Sequence, residues 1–195
     1  ISRRGLLEKD SLVGNALIEM YAECGLLPKA HQVFEEIPLR DIVSWTLLIT
    51  GYAQLGETNQ VFFLFDRMRE DITQDPNLIT FVGVLTACSH GGLVDKGCMC
   101  FEHMILGTIG PPTLEHYSCM IDMLGRAGQL DKMVAIVEHM PLHPNRVVWS
   151  TILGACRKWG DTEVGGEAFL HALGLDDEDA ASYVSMSNIY TYSIS

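Results

Sequence analysis

The sequence has few basic residues for its length. Its 195 residues include 13 Lys and Arg against 25 Asp and Glu, which gives a formal net charge of −12. Phosphate contacts usually come from clustered Lys and Arg, so this charge argues against a protein that holds a polyanion by charge alone. The acidity is concentrated near the C-terminus, because residues 161–195 contain seven acids and no Lys or Arg.

Long apolar runs and paired cysteines are also missing. No apolar segment approaches the roughly 18 to 20 residues needed to cross a bilayer, so we expect no membrane span and no membrane partner. The six cysteines contain no C-x-x-C pair, and reduced thiols are the expectation. The apolar content of 48% excludes a wholly disordered chain and indicates a globular or solenoidal one.

Motifs for catalysis and for phosphate or metal binding are absent as well. A zinc-dependent cytidine deaminase needs an H-x-E element and P-C-x-x-C, and a phosphate loop needs G-x-x-x-x-G-K-[ST], but none of these strings occurs. His139 and His143 have the spacing of metal ligands on a helix, yet Pro141 between them breaks a helix. We therefore expect no catalytic residues, no cofactor and no bound metal.

An internal repeat dominates what is present. Five segments align on a glycine: NALIEMYAECG, TLLITGYAQLG, VGVLTACSHGG, SCMIDMLGRAG and STILGACRKWG. These glycines are Gly25, Gly56, Gly92, Gly128 and Gly160, with successive spacings of 31, 36, 36 and 32 residues. Such a period fits two short helices per unit.

Apolar residues recur in register on both sides of each glycine, which predicts the two helices. Seven residues before the glycines stand Ile18, Ile49, Leu85, Ile121 and Leu153, on a first helix of about a dozen residues that ends at a left-handed glycine cap. Nine residues after them stand Phe34, Phe65, Phe101, Val137 and Phe169, on a second helix. Pro38 and Pro141 are expected to stop that helix in two units. Neighbouring hairpins must stack to bury these faces, so the predicted fold is an all-α solenoid.

The repeat resembles that of plant pentatricopeptide-repeat proteins. The similarity is carried by S-W-T-L-L-I-T-G-Y-A-Q-L-G at 44–56 and Y-S-C-M-I-D-M-L-G-R-A-G-Q-L-D at 117–131. The resemblance implies a right-handed superhelical solenoid, and the alternating lengths are similar to the subclass that mixes short, standard and long repeats. The implied units are the end of a preceding repeat at 1–10, a short repeat at 11–41, a standard one at 42–77, a long one at 78–113 and a short one at 114–145.

Residues 146–179 resemble the C-terminal extension called the E region, and 180–195 resemble part of a second such motif. The stretches V-V-W-S-T-I-L-G-A-C-R-K-W-G-D from Val147 and Y-V-S-M-S-N-I-Y at 183–190 carry this similarity. It implies a specificity factor for C-to-U RNA editing in mitochondria or chloroplasts, with any targeting peptide upstream of Ile1. The implied partners are single-stranded RNA, and editing-complex proteins or a deaminase supplied in trans through the E region. No DNA partner is expected.

The resemblance also implies which residues select bases, namely the fifth and the last residue of each unit. The implied preferences, from 5′ to 3′, are uridine, adenosine, an unspecified base and adenosine, the last lying four nucleotides before the edited cytidine. Apolar second residues are implied to wedge the bases, although Glu115 departs from that pattern and Val82 cannot select a base by hydrogen bonding. The pairs are Asn15 with Asp41, Thr46 with Asn77, Val82 with Thr113, and Ser118 with Asn145; the wedging residues are Leu12, Val43 and Ile79.

Other interpretations of the same residues stay open. Asn, Thr and Ser near a helix start are common N-caps and first-turn residues, and Asp41, Asn77 and Asn145 suit ordinary loops between helices. The negative charge favours an adaptor that binds a peptide or protein, as tetratricopeptide repeats do, although the pattern W-x-x-L-G-x-x-Y is absent. A purely structural subunit of a larger complex is the third alternative.

Overall fold

A computed structural model describes residues 11–71, 74–107, 109–175 and 180–193. Every regular element in these ranges is a helix, and none is a strand. The predicted end of a preceding repeat at 1–10 lies outside the described residues. The helices are α1 (Ser11–Glu23), α2 (Leu27–Glu36), α3 (Ile42–Gln54), α4 (Thr58–Glu70), α5 (Leu78–Gly91), α6 (Val94–Leu106), α7 (Leu114–Arg126), α8 (Leu130–His139), α9 (Arg146–Trp159), α10 (Thr162–Leu175) and α11 (Ala180–Ser193).

The helices form antiparallel pairs that stack along one axis. The odd-numbered helices pack against each other in sequence, α1 on α3, α3 on α5, α5 on α7, α7 on α9 and α9 on α11. The even-numbered helices form a second layer, in which α2, α4 and α6 each contact the first helix of their own pair and that of the next. This arrangement is the superhelical all-α solenoid that the repeat predicts, so the predicted fold is confirmed. No helix in the described ranges is both long and apolar enough to cross a membrane.

The five glycines of the repeat end the first helix of each pair. Gly25, Gly56, Gly92, Gly128 and Gly160 have φ between 66° and 74°, the left-handed conformation that glycine adopts without a steric cost. At the end of α5, for example, the Gly92 amide donates to the Cys88 and Ser89 carbonyls. The predicted glycine caps are therefore present, and they turn the chain into the second helix.

The apolar register positions form the core. Ile18, Ile49, Leu85 and Ile121 are fully buried, and Leu153 is 1% exposed. The core has two parts: a larger cluster that spans α1 to α7 and contains Phe34, Trp45, Phe62, Phe65, Phe81 and Phe101, and a smaller one from α7 to α11. In the smaller cluster the buried residues are aliphatic, Met or Cys, and Phe169 is only half-buried.

Close packing between neighbouring first helices depends on small residues. A Cβ atom on Gly51 of α3 would lie 2.9 Å from Ala22 Cβ of α1, and one on Gly125 of α7 would lie 2.8 Å from Ala155 Cβ of α9. Both distances are shorter than carbon atoms tolerate, so only glycine allows this approach. The first helices consequently form a tight row, and the polar residues at their N-terminal ends are brought side by side.

The prolines act as predicted. Helix α2 ends at Glu36, two residues before Pro38, and α8 ends at His139, two residues before Pro141. The predicted boundaries of the five units up to residue 145 stay predictions, as does the identification of 146–179 and 180–195 as E-type motifs. Residues 176–179, 194 and 195 of these motifs lie outside the described ranges.

Candidate nucleic-acid interface

The last residue of each predicted unit is the N-cap of the next first helix. Asp41, Asn77, Thr113 and Asn145 directly precede α3, α5, α7 and α9, each with extended backbone dihedrals. Short polar side chains are favoured there because they accept hydrogen bonds from amides that the helix leaves unpaired. Asp41, Asn77 and Asn145 are therefore the last residues of the loops between helices, as the alternative interpretation has them, and they also cap the helices that follow.

The fifth residues are not caps. Asn15, Thr46, Val82 and Ser118 lie inside α1, α3, α5 and α7, about one turn from the helix start. None of the polar ones is an N-cap: Asn15 lies inside α1, and the caps of α3 and α7 are Asp41 and Thr113, five residues before Thr46 and Ser118. Of the alternative interpretation, only the position near the first turn of the helix stays open. Stacking of the first helices instead brings the fifth residue of one unit towards the capped helix start of the next.

Asn15 and Asp41 contact each other directly. Asn15 Nδ2 donates to Asp41 Oδ1 and Oδ2 at 3.1 and 3.2 Å. Asp41 Oδ1 also accepts from the Ser44 amide at 2.8 Å, and the Ser44 hydroxyl lies 2.7 Å from Asn15 Oδ1. Because a carboxylate can only accept, these contacts fix the orientation of the Asn15 amide, with Nδ2 towards Asp41 and Oδ1 towards Ser44.

Asp41 stays ionised in this arrangement. Its partial burial would raise the pKa, but hydrogen bonds from the Ser44 amide and hydroxyl and from Asn15 outweigh burial and lower the pKa below its usual range. The first pair therefore presents a full negative charge at the start of α3, where the helix dipole also favours an anion.

Thr46 and Asn77 are joined through a third residue. Asn77 Oδ1 accepts from the Thr80 amide at 2.8 Å and from the Thr80 hydroxyl at 3.0 Å. The same hydroxyl lies 2.9 Å from Thr46 Oγ1, and Thr80 is fully buried. These contacts use the acceptor atom of Asn77, so its Nδ2 group is the one left to donate to a ligand.

The third pair has no polar link between its members. Val82 is apolar and half-buried, and Thr113 hydrogen-bonds to His116 instead, Oγ1 to Nδ1 at 2.8 Å. His116 Nε2 lies 2.9 Å from the Leu78 carbonyl oxygen. Burial lowers the pKa of His116, while the Leu78 carbonyl opposes that shift, so the imidazole is neutral near pH 7 and bridges α7 to the start of α5.

The fourth pair is also unlinked within the described residues. Asn145 Oδ1 accepts from the Val148 amide at 3.1 Å, and its side chain is exposed. The Ser118 hydroxyl donates to the Leu114 carbonyl one turn earlier in its own helix, at 2.8 Å. Val148 stands where Ser44 and Thr80 stand in the preceding units, and it has no hydroxyl to join the two residues.

The residues predicted to wedge bases form an exposed apolar row at the helix starts. Leu12 is 74% exposed, Val43 47% and Ile79 61%. Glu115 occupies the equivalent place on α7 and is exposed, so the row is interrupted there. Val147 on α9 is 61% exposed and restores it. Sequence reasoning missed Val147, although its position two residues after Asn145 matches that of Val43 after Asp41.

Two features of this surface differ from the sequence expectation. Asn15 and Thr46 are only 8% and 6% exposed, although the resemblance implies that both select bases. The cause is the stacking, which covers each of them with the capped helix start of the next unit. Ser44 and Thr80, which make the contacts, were not recognised as site residues because their partners in the preceding unit are 29 and 34 residues distant in the sequence.

Metal-binding and thiol chemistry find little support here. No group of three or more His, Cys, Asp or Glu side chains in the described ranges could hold a metal ion. The six cysteines are unpaired thiols, and burial raises the pKa of Cys88 and of Cys156 to about 12. His139 caps its own helix through a contact to the Ala135 carbonyl, while His143 is exposed beyond Pro141.

Comparison with known proteins places this arrangement in a family. The family model described as PPR repeat matches residues 15–42, 43–71, 79–106 and 115–143, more than half of the chain. In Arabidopsis thaliana, the putative pentatricopeptide repeat-containing protein At5g09950 is 43% identical over 191 residues, which cover 97% of this chain and 19% of that protein. The mitochondrial pentatricopeptide repeat-containing protein At2g03880 is 42% identical over 186 residues, covering 95% of this chain and 29% of the relative.

Solved structures show the same fold. The maize pentatricopeptide repeat protein PPR10 superposes with a TM-score of 0.72 at 21% identity, over 91% of this chain and 26% of that one. PPR10 in complex with an 18-nucleotide psaJ RNA element gives a TM-score of 0.79 at 17% identity, over 94% of this chain and 28% of that one. The PPR domain of Arabidopsis protein-only RNase P 1, bound to tRNA, gives 0.71 at 14% identity, over 89% of this chain and 95% of that domain.

The chain spans only part of its curated relatives, from 19% to 39% of their length among those with 38 to 43% identity. Within that span the repeat glycines, the buried register positions and the family model agree. The chain belongs to the pentatricopeptide-repeat family of plant type.

Proposed function

We propose that this chain binds single-stranded RNA along the N-terminal ends of its first helices, one base per unit, without catalysing a reaction. The observation that carries the proposal is the recurrence of a polar pair beside an exposed apolar residue at successive helix starts. Stacked helices place these groups in a row, as a single strand with splayed bases requires. The solved PPR10 structure contains a psaJ RNA element and that of the RNase P domain contains tRNA, which supports a nucleic-acid ligand.

The hydrogen-bonding groups support the base order uridine, adenosine, an unspecified base and adenosine. Asp41 offers acceptors, which suit the N3–H donor of uridine. Asn77 and Asn145 have Oδ1 engaged by a backbone amide, so each offers Nδ2 as a donor to the N1 acceptor of adenine. Guanine carries a proton on N1 and would face that donor with another. Val82 offers no polar group, which fits an unspecified third base.

A role in RNA editing is suggested by the resemblance of residues 146–195 to the E region. We infer that the chain is the specificity element of an organellar C-to-U editing factor, with short, standard and long repeats followed by an E region. Helices α9 to α11 then recruit editing-complex proteins or a deaminase in trans. Two of the curated relatives are named as mitochondrial, which supports a mitochondrial or chloroplast location.

The charge of the chain limits how it would hold RNA. With 13 basic residues against 25 acids, few phosphates are neutralised, so affinity should depend on base contacts and stacking more than on counterion release. We therefore expect a shallow dependence of the dissociation constant on salt concentration.

The test is a titration of this chain against labelled RNAs of about ten nucleotides that contain 5′-U-A-C-A-3′ at the centre, followed over a salt series. A control RNA carries 5′-A-G-C-G-3′ in the same flanks. The proposal expects tighter binding to the first RNA by at least about tenfold, from mismatch costs of about 1 to 3 kcal/mol per base by analogy with base contacts in DNA. Equal binding to both would refute base selection, and no binding to either would refute the RNA-binding role.

The net charge of −12 favours one alternative, an adaptor that binds a protein or peptide through the stacked helices. Its ligand would be basic, and its affinity would fall as salt rises. Failure of both RNAs to bind would leave this alternative as the better account of the repeat.

A further inference from the structure

We propose a further specificity-determining position. For each unit it is the third residue of the next unit along the chain, whose side chain sets which hydrogen-bonding group the fifth residue of the first unit offers to a base. These third-position residues are Ser44, Thr80, His116 and Val148, at the same place in α3, α5, α7 and α9. The inference rests on the proposed RNA binding. It concerns residues that are fully buried or 1% exposed and that would not touch the RNA themselves.

The argument begins with the direction of the hydrogen bonds around Thr80. Asn77 Oδ1 can only accept, so the Thr80 hydroxyl donates its one proton to that atom, at 3.0 Å. With its proton engaged in this way, the Thr80 oxygen accepts, and of the two directions open to its 2.9 Å contact with Thr46 Oγ1, the one in which Thr46 donates completes the chain. The Asn77 amide, 3.3 Å from the same oxygen, is a second donor.

The consequence reaches the surface of the helix row. Because the Thr46 proton points towards Thr80, the side of Thr46 that is left for a base is an acceptor. Asn77 Nδ2 beside it is a donor. Adenine carries a donor at N6 next to an acceptor at N1, which complements this pair, whereas guanine carries an acceptor at O6 and a donor at N1. Thr80 thus turns two ambiguous side chains into a pair with a fixed polarity that excludes guanine.

Ser44 makes a corresponding link in the first pair. Its oxygen accepts from the Asp41 amide at 3.3 Å, and its one proton is shared between two acceptors, Asn15 Oδ1 at 2.7 Å and Asp41 Oδ1 at 2.9 Å. The Asn15 carbonyl group is therefore held inside the protein, and Nδ2 is the group directed to Asp41 and to a ligand.

The fourth pair lacks this control because Val148 is apolar. The Ser118 proton is directed to the Leu114 carbonyl, at 2.8 Å, and that bond lies within one helix. Turning this proton away affects no other hydroxyl, whereas turning the Thr46 proton would leave the Thr80 oxygen with only the 3.3 Å contact from the Asn77 amide. Ser118 can therefore direct its proton towards O6 of guanine at a lower cost than Thr46 can. We therefore expect weaker discrimination between adenosine and guanosine at the fourth base than at the second.

The deciding experiment measures the ratio of guanosine to adenosine dissociation constants at one base, using RNAs that differ only there. For the second base, Thr80→Val should lower this ratio about two- to tenfold, the range of one net hydrogen bond, while Thr80→Ser should keep it. Thr50→Val is the matched control, since the Thr50 hydroxyl donates to the Thr46 and Leu47 carbonyls of its own helix. It should leave the ratio unchanged.

The reciprocal variant is Val148→Thr, which supplies the missing hydroxyl and should raise the ratio at the fourth base by a similar factor. If circular dichroism shows that Thr80→Val has lost helical structure, the result for Val148→Thr tests the proposed role of the third residue in its place. Unchanged ratios in the folded variants would overturn the inference and leave RNA binding intact. A wild-type protein that binds none of the RNAs would instead refute the proposed function, and this inference with it.

Discussion

The contacts between successive units, called joints below, differ in chemistry along the solenoid. The first joint links α1 and α2 to α3 and α4, and the last joint is the one that links α7, in the last predicted repeat, to α9. At the first joint, hydrogen bonds connect the helix starts through Asn15, Ser44 and Asp41. In the layer of even-numbered helices, Arg67 of α4 donates to Glu35 of α2 at 2.7 Å. Between α7 and α9 the contacts lie at the helix ends, where Trp159 Nε1 donates to the Gly125 carbonyl at 2.8 Å. Lys158 Nζ donates to the Arg126 carbonyl at 2.8 Å.

This difference separates two tasks that one repeat can perform. Polar contacts at the helix starts orient the side chains that we propose select bases, so they tie those pairs to the stacking itself. The contacts at the helix ends are donated to carbonyls in the last turn of α7, and they stabilise stacking without involving those pairs. The N-terminal joints therefore suit selection of a ligand, whereas the last joint suits attachment of the C-terminal helices.

The largest effect is expected from truncating the aromatic core at one register position in each region. Phe34 is fully buried, with its ring edge-on to Trp45 at 4.7 Å between centroids, whereas the equivalent Phe169 is half-buried against Tyr183. Phe34→Ala should lower the free energy of unfolding by about 3 to 5 kcal/mol, and Phe169→Ala by clearly less. Urea unfolding followed by circular dichroism measures both.

Phe63→Ala is the control for that pair, since Phe63 is 54% exposed on α4. It should change stability by less than either variant. Equal losses of stability for Phe34→Ala and Phe169→Ala would show that the two core clusters are equally well packed. That result would contradict the expectation that the cluster around the fully buried Phe34 is the better packed one.

The next effect concerns selection at the fourth base. Asn145→Asp replaces a side chain that can donate with one that only accepts, while the cap on the Val148 amide is kept. Preference at that base should move from adenosine towards guanosine by about 1 to 3 kcal/mol, with total affinity less affected. Binding of four RNAs that differ only at this base, to wild type and variant, tests it. An unchanged base ranking would identify Asn145 as a cap alone.

A smaller effect is expected at the last joint. Trp159→Phe keeps an aromatic ring over Gly128 but removes one of two donors to the Gly125 carbonyl, which still accepts from the Gly128 amide at 3.2 Å, so it should cost at most about 1 kcal/mol. Trp149→Phe on the same helix is the matched control, because Trp149 stacks on His171 at 4.5 Å, a contact that a phenyl ring can retain. Thermal unfolding compares them. Equal losses would mean that the ring, and not the hydrogen bond, holds α9 on α7.

The sequence was sufficient for the fold because the same physical demand recurs five times. Gly25 and its four counterparts needed a left-handed conformation, and Ile18 and its counterparts needed burial, so recurrence separated these positions from chance. The links through Ser44 and Thr80 were not predictable in this way. A serine or threonine near a helix start has several local partners, and only the stacking distance decides which one it meets.

The same reasoning applies to the last joint. Nothing local marks Trp159 as a donor to a carbonyl 34 residues earlier, since an exposed tryptophan has many alternatives. Val147, by contrast, was within reach of the sequence, because it repeats the spacing of Val43 from its cap residue. The residues that were missed are therefore those whose role depends on a neighbour from another unit.

The smallest expected effect tests the charged contact of the first joint. Burial alone would raise the pKa of Glu35, but the hydrogen bond from Arg67 and the charges of Arg40, Arg67 and His31 outweigh it and lower the pKa. A carboxyl whose pKa is lower when folded stabilises the protein above its unfolded pKa of about 4.3, and this contribution is lost as the pH falls through the folded value. Because the side chain is 42% exposed, we expect less than about 1 kcal/mol.

Glu35→Gln isolates this contribution, because every other titrating group, including Asp41 with its own lowered pKa, is common to both proteins. The variant should be slightly less stable than the wild type at pH 7, and the difference should shrink as the pH is lowered below about 4, where the wild-type carboxyl takes up a proton. Urea midpoints at pH 7, 4 and 3 measure it. A difference that persists unchanged at pH 3 would assign the stabilisation to the neutral hydrogen bonds of the side chain, and the first joint would then resemble the last one.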